Sequence, residues 1–197
     1  MLKFWNTCKR LSNPERVDML RVVMKADADF GISVGDISEI VKLKVASVST
    51  YLTELKDECG LVRSSRDGRY VIYYPWTDGP EAELVDALRK YFLGEHRDKV
   101  WVNGRRPPAP DFVFVLPALA NDTRQWVVEY IRKERKTTLD HIMHALNLTD
   151  NNARRHVRII AESGLCKFDK EISWLEPEDS MIKLFLERAL TGASLAG

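Results

Sequence analysis

The chain has 197 residues, 45% of them hydrophobic and 30% charged, a composition that suits one large or two small packed cores and excludes a disordered chain. Its 30 Lys+Arg and 29 Asp+Glu leave a net charge of +1, evenly spread with 14 basic and 14 acidic groups through residue 94 and 16 and 15 after it. That balance excludes the strongly basic footprint of a general nucleic-acid binder, so any such contact rests on local clusters.

The longest apolar runs, such as Phe112 to Ala120, are too short to span a bilayer, and "MLKFWNTCKR" lacks the apolar core of a signal peptide. Cys8, Cys59 and Cys166 are odd in number and far apart, which suggests neither a disulfide framework nor a zinc site. The expected setting is a reducing cytoplasm, with no membrane partner.

In chain order, a short leading segment around Phe4-Trp5 precedes a helix capped by Asn13, with Pro14 at its first position, where a missing N–H does no harm. Val17, Leu20 and Val23-Met24 recur at helical spacing. Two further helices, about Gly35 to Lys42 and Ala46 to Glu58, are joined by a tight turn. "LVRSSRDGRYVIYY" then predicts a hairpin: Asp67-Gly68 lies between β-type residues, and Gly accepts the positive φ a tight turn needs. A closing helix from about Glu81 to Leu93 carries Leu84, Leu88 and Phe92 as an apolar stripe. "GEHRDKVWVNGRRPPAPD" suits a linker, stiff and exposed at Arg105-Arg106-Pro107-Pro108.

The same order then repeats. Leu11, Asn13 and Arg16 recur as Leu119, Asn121 and Arg124; Ile37, Leu43 and Leu55 fall on Ile142, Leu148 and Ile160. Gly60-Leu61 and Pro75 recur as Gly164-Leu165 and Pro177. After the leading segment Phe112 to Leu119, the second copy predicts helices with Val127-Val128 and Ile131 inward, then about Leu139 to Leu146 and Asp150 to Ser163. A short hairpin, "CKFDKEISWLEP", and a closing helix from about Asp179 to Leu190 (Ile182, Phe185, Leu186) complete it.

A helix, a turn, a second helix and a hairpin describe a winged helix-turn-helix. The fold expected is therefore mainly α with small β-hairpins, in two tandem winged helix-turn-helix domains. Residues 1–94 form the first, 95–110 the linker, and 111–197 the second, with a reduced wing.

"LSNPERVDML" followed by "ISEIVKLKVASVSTYLTELKDECGLVRSSRDGRYVIYY" resembles the ArsR-type winged-helix repressors, over about residues 3 to 93. In the second copy "LANDTR" and "LNLTDNNARRHVRIIAESGL" carry the same likeness. The resemblance implies a cytoplasmic DNA-binding transcription regulator whose partner is double-stranded DNA and whose terminal helices build a homodimer. Because there are two copies, the closing helices can instead meet within one chain, a pseudo-dimer about a pseudo-twofold. The recognition helices would then lie about one DNA turn, roughly 34 Å, apart.

The departures concern metals. "VGDISEIVK" has none of the family's sensing cysteines, and Asp86 and His96 on the closing helix lack a matching second pair. Asp140, His141 and His144 read as exposed polar residues at a helix start. No metal, cofactor or catalytic group is expected: the chain has no Gly-rich phosphate loop, nucleophile elbow or His-x-x-x-His pair, and so no enzyme signature.

In a helix-turn-helix, side chains near the N-terminus of the second helix meet base edges. For the first domain these are Lys44, Ser47, Ser49, Thr50 and Tyr51, with Val48, Leu52 and Leu55 inward; Arg63, Arg66 and Arg69 on the wing would grip phosphate or enter the minor groove. For the second domain they are Asn151, Asn152, Arg154, Arg155, His156 and Arg158. Asn to adenine and Arg to guanine are the standard bidentate readers, worth about 1–3 kcal/mol each in discrimination. Arg16 and Arg124 are expected to contact helix ends, and Trp126, Trp174, Tyr73 and Tyr74 to pack. The alternative is a tandem protein-interaction module, with Arg154, Arg155 and Arg158 an ordinary solvated face.

Overall fold

The computed structural model describes residues 4–94 and 109–191. Most of the expected linker, with His96 and Arg105 to Pro108, lies outside the described residues. Among the described residues the first run of elements is α1 (Phe4–Leu11), α2 (Pro14–Lys25), β1 (Ile32–Ser33), α3 (Val34–Val41), α4 (Val45–Asp57), β2 (Val62–Asp67), β3 (Tyr70–Pro75) and α5 (Ala82–Leu93). The second run has the same order: α6 (Asp111–Leu119), α7 (Asp122–Glu134), β4 (Lys136–Thr137), α8 (Leu139–Leu146), α9 (Asp150–Glu162), β5 (Cys166–Phe168), β6 (Ile172–Trp174) and α10 (Ser180–Thr191). No helix among them is long and apolar enough to cross a membrane.

Local chemistry explains the boundaries. Asn13 accepts from Glu15 N at 2.8 Å and Asn121 from Arg124 N at 3.0 Å, so each satisfies an orphan donor at a helix start. α3 and α8 both stop at a left-handed residue, Lys42 (φ 57°) and Asn147 (φ 51°). The next amides, Leu43 N and Leu148 N, return to Ser38 and Met143 carbonyls, the six-to-one bond of a Schellman-type stop. These stops turn the chain sharply into α4 and α9.

Each run closes an antiparallel sheet of three strands rather than the bare hairpin expected from sequence. The orders are β1-β3-β2 and β4-β6-β5. β1 and β4 are two residues long, too short for a period-2 pattern to reveal. At the approach to β1, Gly31 has φ +63°, and a Cβ there would stand 2.7 Å from the Tyr73 carbonyl oxygen.

The described elements form two compact units. One holds α2 to α5 with their sheet; the other holds α6 to α10 with theirs, together with α1. This corrects the division at residue 94, which assigned Phe4–Leu11 to the first domain. α1 packs on α6 and α10 instead. Its Phe4 ring lies 5.8 Å from Phe185, which stacks on Phe112 at 5.3 Å, so the apolar side of α1 is covered by residues more than a hundred positions away.

In the first unit α2 is the central element, against α3, α4, α5 and β3. Val17, Leu20, Val23 and Met24 bury there with Ile37, Val48, Leu52, Leu55, Leu84, Leu88 and Phe92. Val48, Leu52 and Leu55 face inward as expected, leaving the opposite side of α4 to solvent. α7 is the counterpart in the second unit, against α6, α8, α9, α10 and β6. There Arg124 Nε donates to the Pro117 carbonyl at 2.9 Å and the buried Gln125 Nε2 to the Leu119 carbonyl at 2.8 Å. Both occupy carbonyls at the end of α6 that have no partner within the helix.

Candidate nucleic-acid interface

The outer side of α4 is small and nearly uncharged. Lys44 precedes its first turn, and Ser49 and Thr50 are exposed while Ser47 is half-buried. Thr50 Oγ1 donates to the Ala46 carbonyl at 3.0 Å and Thr53 Oγ1 to the Ser49 carbonyl at 2.8 Å. Those hydroxyl protons are committed within the helix, leaving lone pairs as the outward chemistry. Val45 and Ala46 are exposed beside them. Thr53, Val45 and Ala46 were passed over in the sequence, although Ala46, Ser49, Thr50 and Thr53 follow the spacing of one helix face.

Tyr51 is placed differently from the other sequence candidates. Its ring lies under the Arg16 guanidinium, with the carbon 4.6 Å from the ring centroid, and Arg16 also holds Glu54 through Nε at 2.7 Å and Nη2 at 2.6 Å. Tyr51 is thus half-buried in a knot joining α2 to α4. Arg16 was expected at a helix end; its partners are instead these two side chains.

The β2-β3 hairpin turns through Gly68 and Arg69, since Asp67 pairs with Tyr70. Gly68 has φ +56° while Arg69 is not in the left-handed region, the pattern of a type II′ turn. Arg63 pairs across the hairpin with Tyr74, its guanidinium carbon 5.5 Å from that ring. Arg69 stands 5.1 Å from the Tyr70 ring centroid and donates to the Tyr70 hydroxyl at 2.8 Å. Arg66 pairs with Val71. Being three residues apart on one strand, Arg63 and Arg66 project from opposite faces. The three arginines therefore do not share one plane; they ring the tip. Beside the hairpin, Lys56, Asp57, Gly60, Arg63, Ser64, Trp76 and Pro80 line an open groove of about 470 Å³.

The second unit is charged where the first is not. Asn151, Asn152, Arg154, Arg155 and Arg158 are exposed on α9. Arg154 Nε is forked onto Asp150, at 3.0 and 2.8 Å from its two oxygens, which raises its pKa and neutralises it locally. Arg155 and Arg158 have no carboxylate partner among the described residues. His156 is half-buried; burial first, then the charges of Arg124 and Arg155, hold its pKa below the ordinary value. It is therefore less available to a base edge than its neighbours.

The hairpin here is shorter, with three-residue strands, and Glu171 holds Lys136 at 2.5 Å. Arg135 Nη1 and Trp174 Nε1 both donate to Glu176, at 2.5 and 3.0 Å, and the Arg135 bond leads the lowering of that carboxyl's pKa. Among the described residues no three His, Cys, Asp or Glu side chains converge as a metal site would require. Asp86 is held by Lys90 at 2.7 Å.

Comparison with protein families, with curated proteins and with solved structures returns no match for this chain.

Proposed function

We propose that the chain is a double-stranded-DNA-binding transcription regulator of the ArsR-like kind, made of two tandem winged helix-turn-helix domains with α4 and α9 as non-identical recognition helices. The observation that carries this reading is the outer face of α9, where Asn151, Asn152, Arg155 and Arg158 stand exposed with no carboxylate on either arginine among the described residues. Asparagine and arginine are the side chains best suited to adenine and guanine edges in the major groove. The turn that sets α9 off from α8 occurs again between α3 and α4, where the arginine-ringed hairpin supplies the charge α4 lacks.

In this division of labour the first domain grips phosphate through Arg63, Arg66 and Arg69, with weak readout from the hydroxyls of α4. The second domain reads sequence through α9. Two unlike helices favour an asymmetric site. Sedimentation of the DNA complex decides how many chains act on one duplex: one chain per duplex fits the tandem copies acting alone, two chains assign the closing helices to a homodimer. A second reading, a protein-interaction module, is favoured by one feature: Val45 is 54% and Ile40 39% exposed beside the hydroxyl face of α4.

Fluorescence anisotropy with random-sequence duplex DNA at several salt concentrations separates the two. Binding that weakens steeply with salt supports the DNA reading, because released counterions dominate such affinity. No binding at low salt overturns it.

A further inference from the structure

Residue by residue, the repeat pairs α4 with α9 at a constant offset, as the two left-handed stops at Lys42 and Asn147 also do. Tyr51 then corresponds to His156, Thr50 to Arg155, Glu54 to Ile159, and Arg16 to Arg124. In the first copy the arginine on α2 meets an anion built into the fold: Glu54 lies at 2.6 Å from Arg16 Nη2. In the second copy the carboxylate is replaced by Ile159, and a second cation, Arg155, is added where the first copy has Thr50.

Arg124 spends its Nε on the Pro117 carbonyl, so both Nη groups remain, without a partner among the described residues. α7 packs on α9 as α2 packs on α4, where Arg16 lies over Tyr51, so the repeat carries Arg124 toward His156 and Arg155; burial, followed by the charge of Arg155, lowers the Arg124 pKa in keeping with that placement. His156 lies in the same field, and its Nδ1 is buried without a hydrogen-bond partner. A half-buried arginine, a second arginine and an imidazole with no carboxylate among them form an arrangement that an oxyanion stabilises, by charge-assisted bonds to the guanidinium forks.

We propose that Arg124 and Arg155, with His156 beside them, form a seat for one phosphate group, taking from outside the anion that Glu54 supplies in the first copy. The group can belong to a DNA backbone or be free in solution. The DNA-borne case rests on the function proposed above; the free case does not. In either case His156 passes from a base-reading candidate to a neighbour of the bound phosphate, and Arg124 from a purely structural residue to a ligand.

The test is NMR of the full chain, following the His156 imidazole and the arginine Nε–H signals while inorganic phosphate replaces chloride at constant ionic strength. Saturable shifts at Arg124, Arg155 and His156 are expected, with the His156 titration midpoint rising as phosphate fills the seat. Ile159→Glu, which restores the first copy's internal anion, abolishes the response, and Arg155→Gln at an exposed position weakens it about tenfold, the scale of one charge-assisted bond. Shifts that chloride reproduces, or that survive Ile159→Glu in a folded protein, overturn the proposal. Duplex DNA that displaces the phosphate identifies a backbone phosphate as the occupant. Phosphate binding without DNA binding keeps the seat, identifies a free phosphate and refutes the DNA reading, whereas DNA binding with no phosphate response at these residues refutes the seat alone.

Discussion

Arg154, Arg155 and Arg158 lie along one stretch of α9, yet replacing each in turn by glutamine is expected to give unequal results. Arg154 is forked onto Asp150 at 2.8 and 3.0 Å, so under the DNA-binding function proposed above the pair presents almost no net charge to DNA, whereas Arg155 and Arg158 present theirs in full. Each phosphate neutralised adds about 0.9 to the slope of log affinity against log salt. Across a fourfold change in salt, one such contact therefore changes affinity by about 3.5-fold. Arg155→Gln and Arg158→Gln should each flatten the slope by about 0.9, Arg154→Gln by much less, and Asp150→Asn should steepen it by releasing Arg154. Anisotropy titrations on one random duplex between 50 and 200 mM salt, roughly the range over which the rule is calibrated, read these slopes directly. Equal losses from all three arginines, or an unchanged slope in Asp150→Asn, would refute the claim that the intrahelical fork decides which charges reach DNA.

Three further outcomes concern the fold. Gly31→Ala puts a Cβ on a residue at φ +63° and within 2.7 Å of the Tyr73 carbonyl oxygen; a loss of about 2–5 kcal/mol is expected in urea unfolding, and a loss below about 1 kcal/mol would remove the close approach of β1 to β3 from the account. Lys42→Gly relieves a left-handed residue at φ 57° and should stabilise by about 1 kcal/mol, raising the denaturant midpoint without changing its slope. Burial pushes the Cys166 thiol up from 9.0 to about 11. A thiol whose folded value is raised contributes stability that is complete below its unfolded value and lost as pH climbs through the folded one. Relative to Cys166→Ala, the native chain should therefore lose stability between about pH 9 and 11, and a constant difference across that window would count against a buried thiol.

Much of the molecule was legible because the interactions responsible are local. The capping asparagines Asn13 and Asn121, Pro14 at a first helical position and the inward series Val48, Leu52 and Leu55 lie within a few residues of what they control. The existence of the hairpin and that of the second copy belong to the same class, although the two-residue turn lies at Gly68-Arg69 rather than at Asp67-Gly68. The opposition of Arg63 and Arg66 followed from strand periodicity, and the Asp150–Arg154 fork from helix periodicity, though neither was drawn from the sequence.

Contacts across long separations were decided only by tertiary structure. β1 and β4 exist because β3 and β6 offer free edges, not because two residues have a strand pattern. α1 belongs with α6 and α10 because Phe4 finds cover on Phe185, although nothing near Phe4 in the chain says so. Tyr51 was withdrawn from the exposed face of α4 by Arg16, and α9 was packed against α7. Periodicity and capping act within a turn or two of helix or strand, whereas burial and charge pairing depend on which surfaces meet, and that is settled when the chain packs.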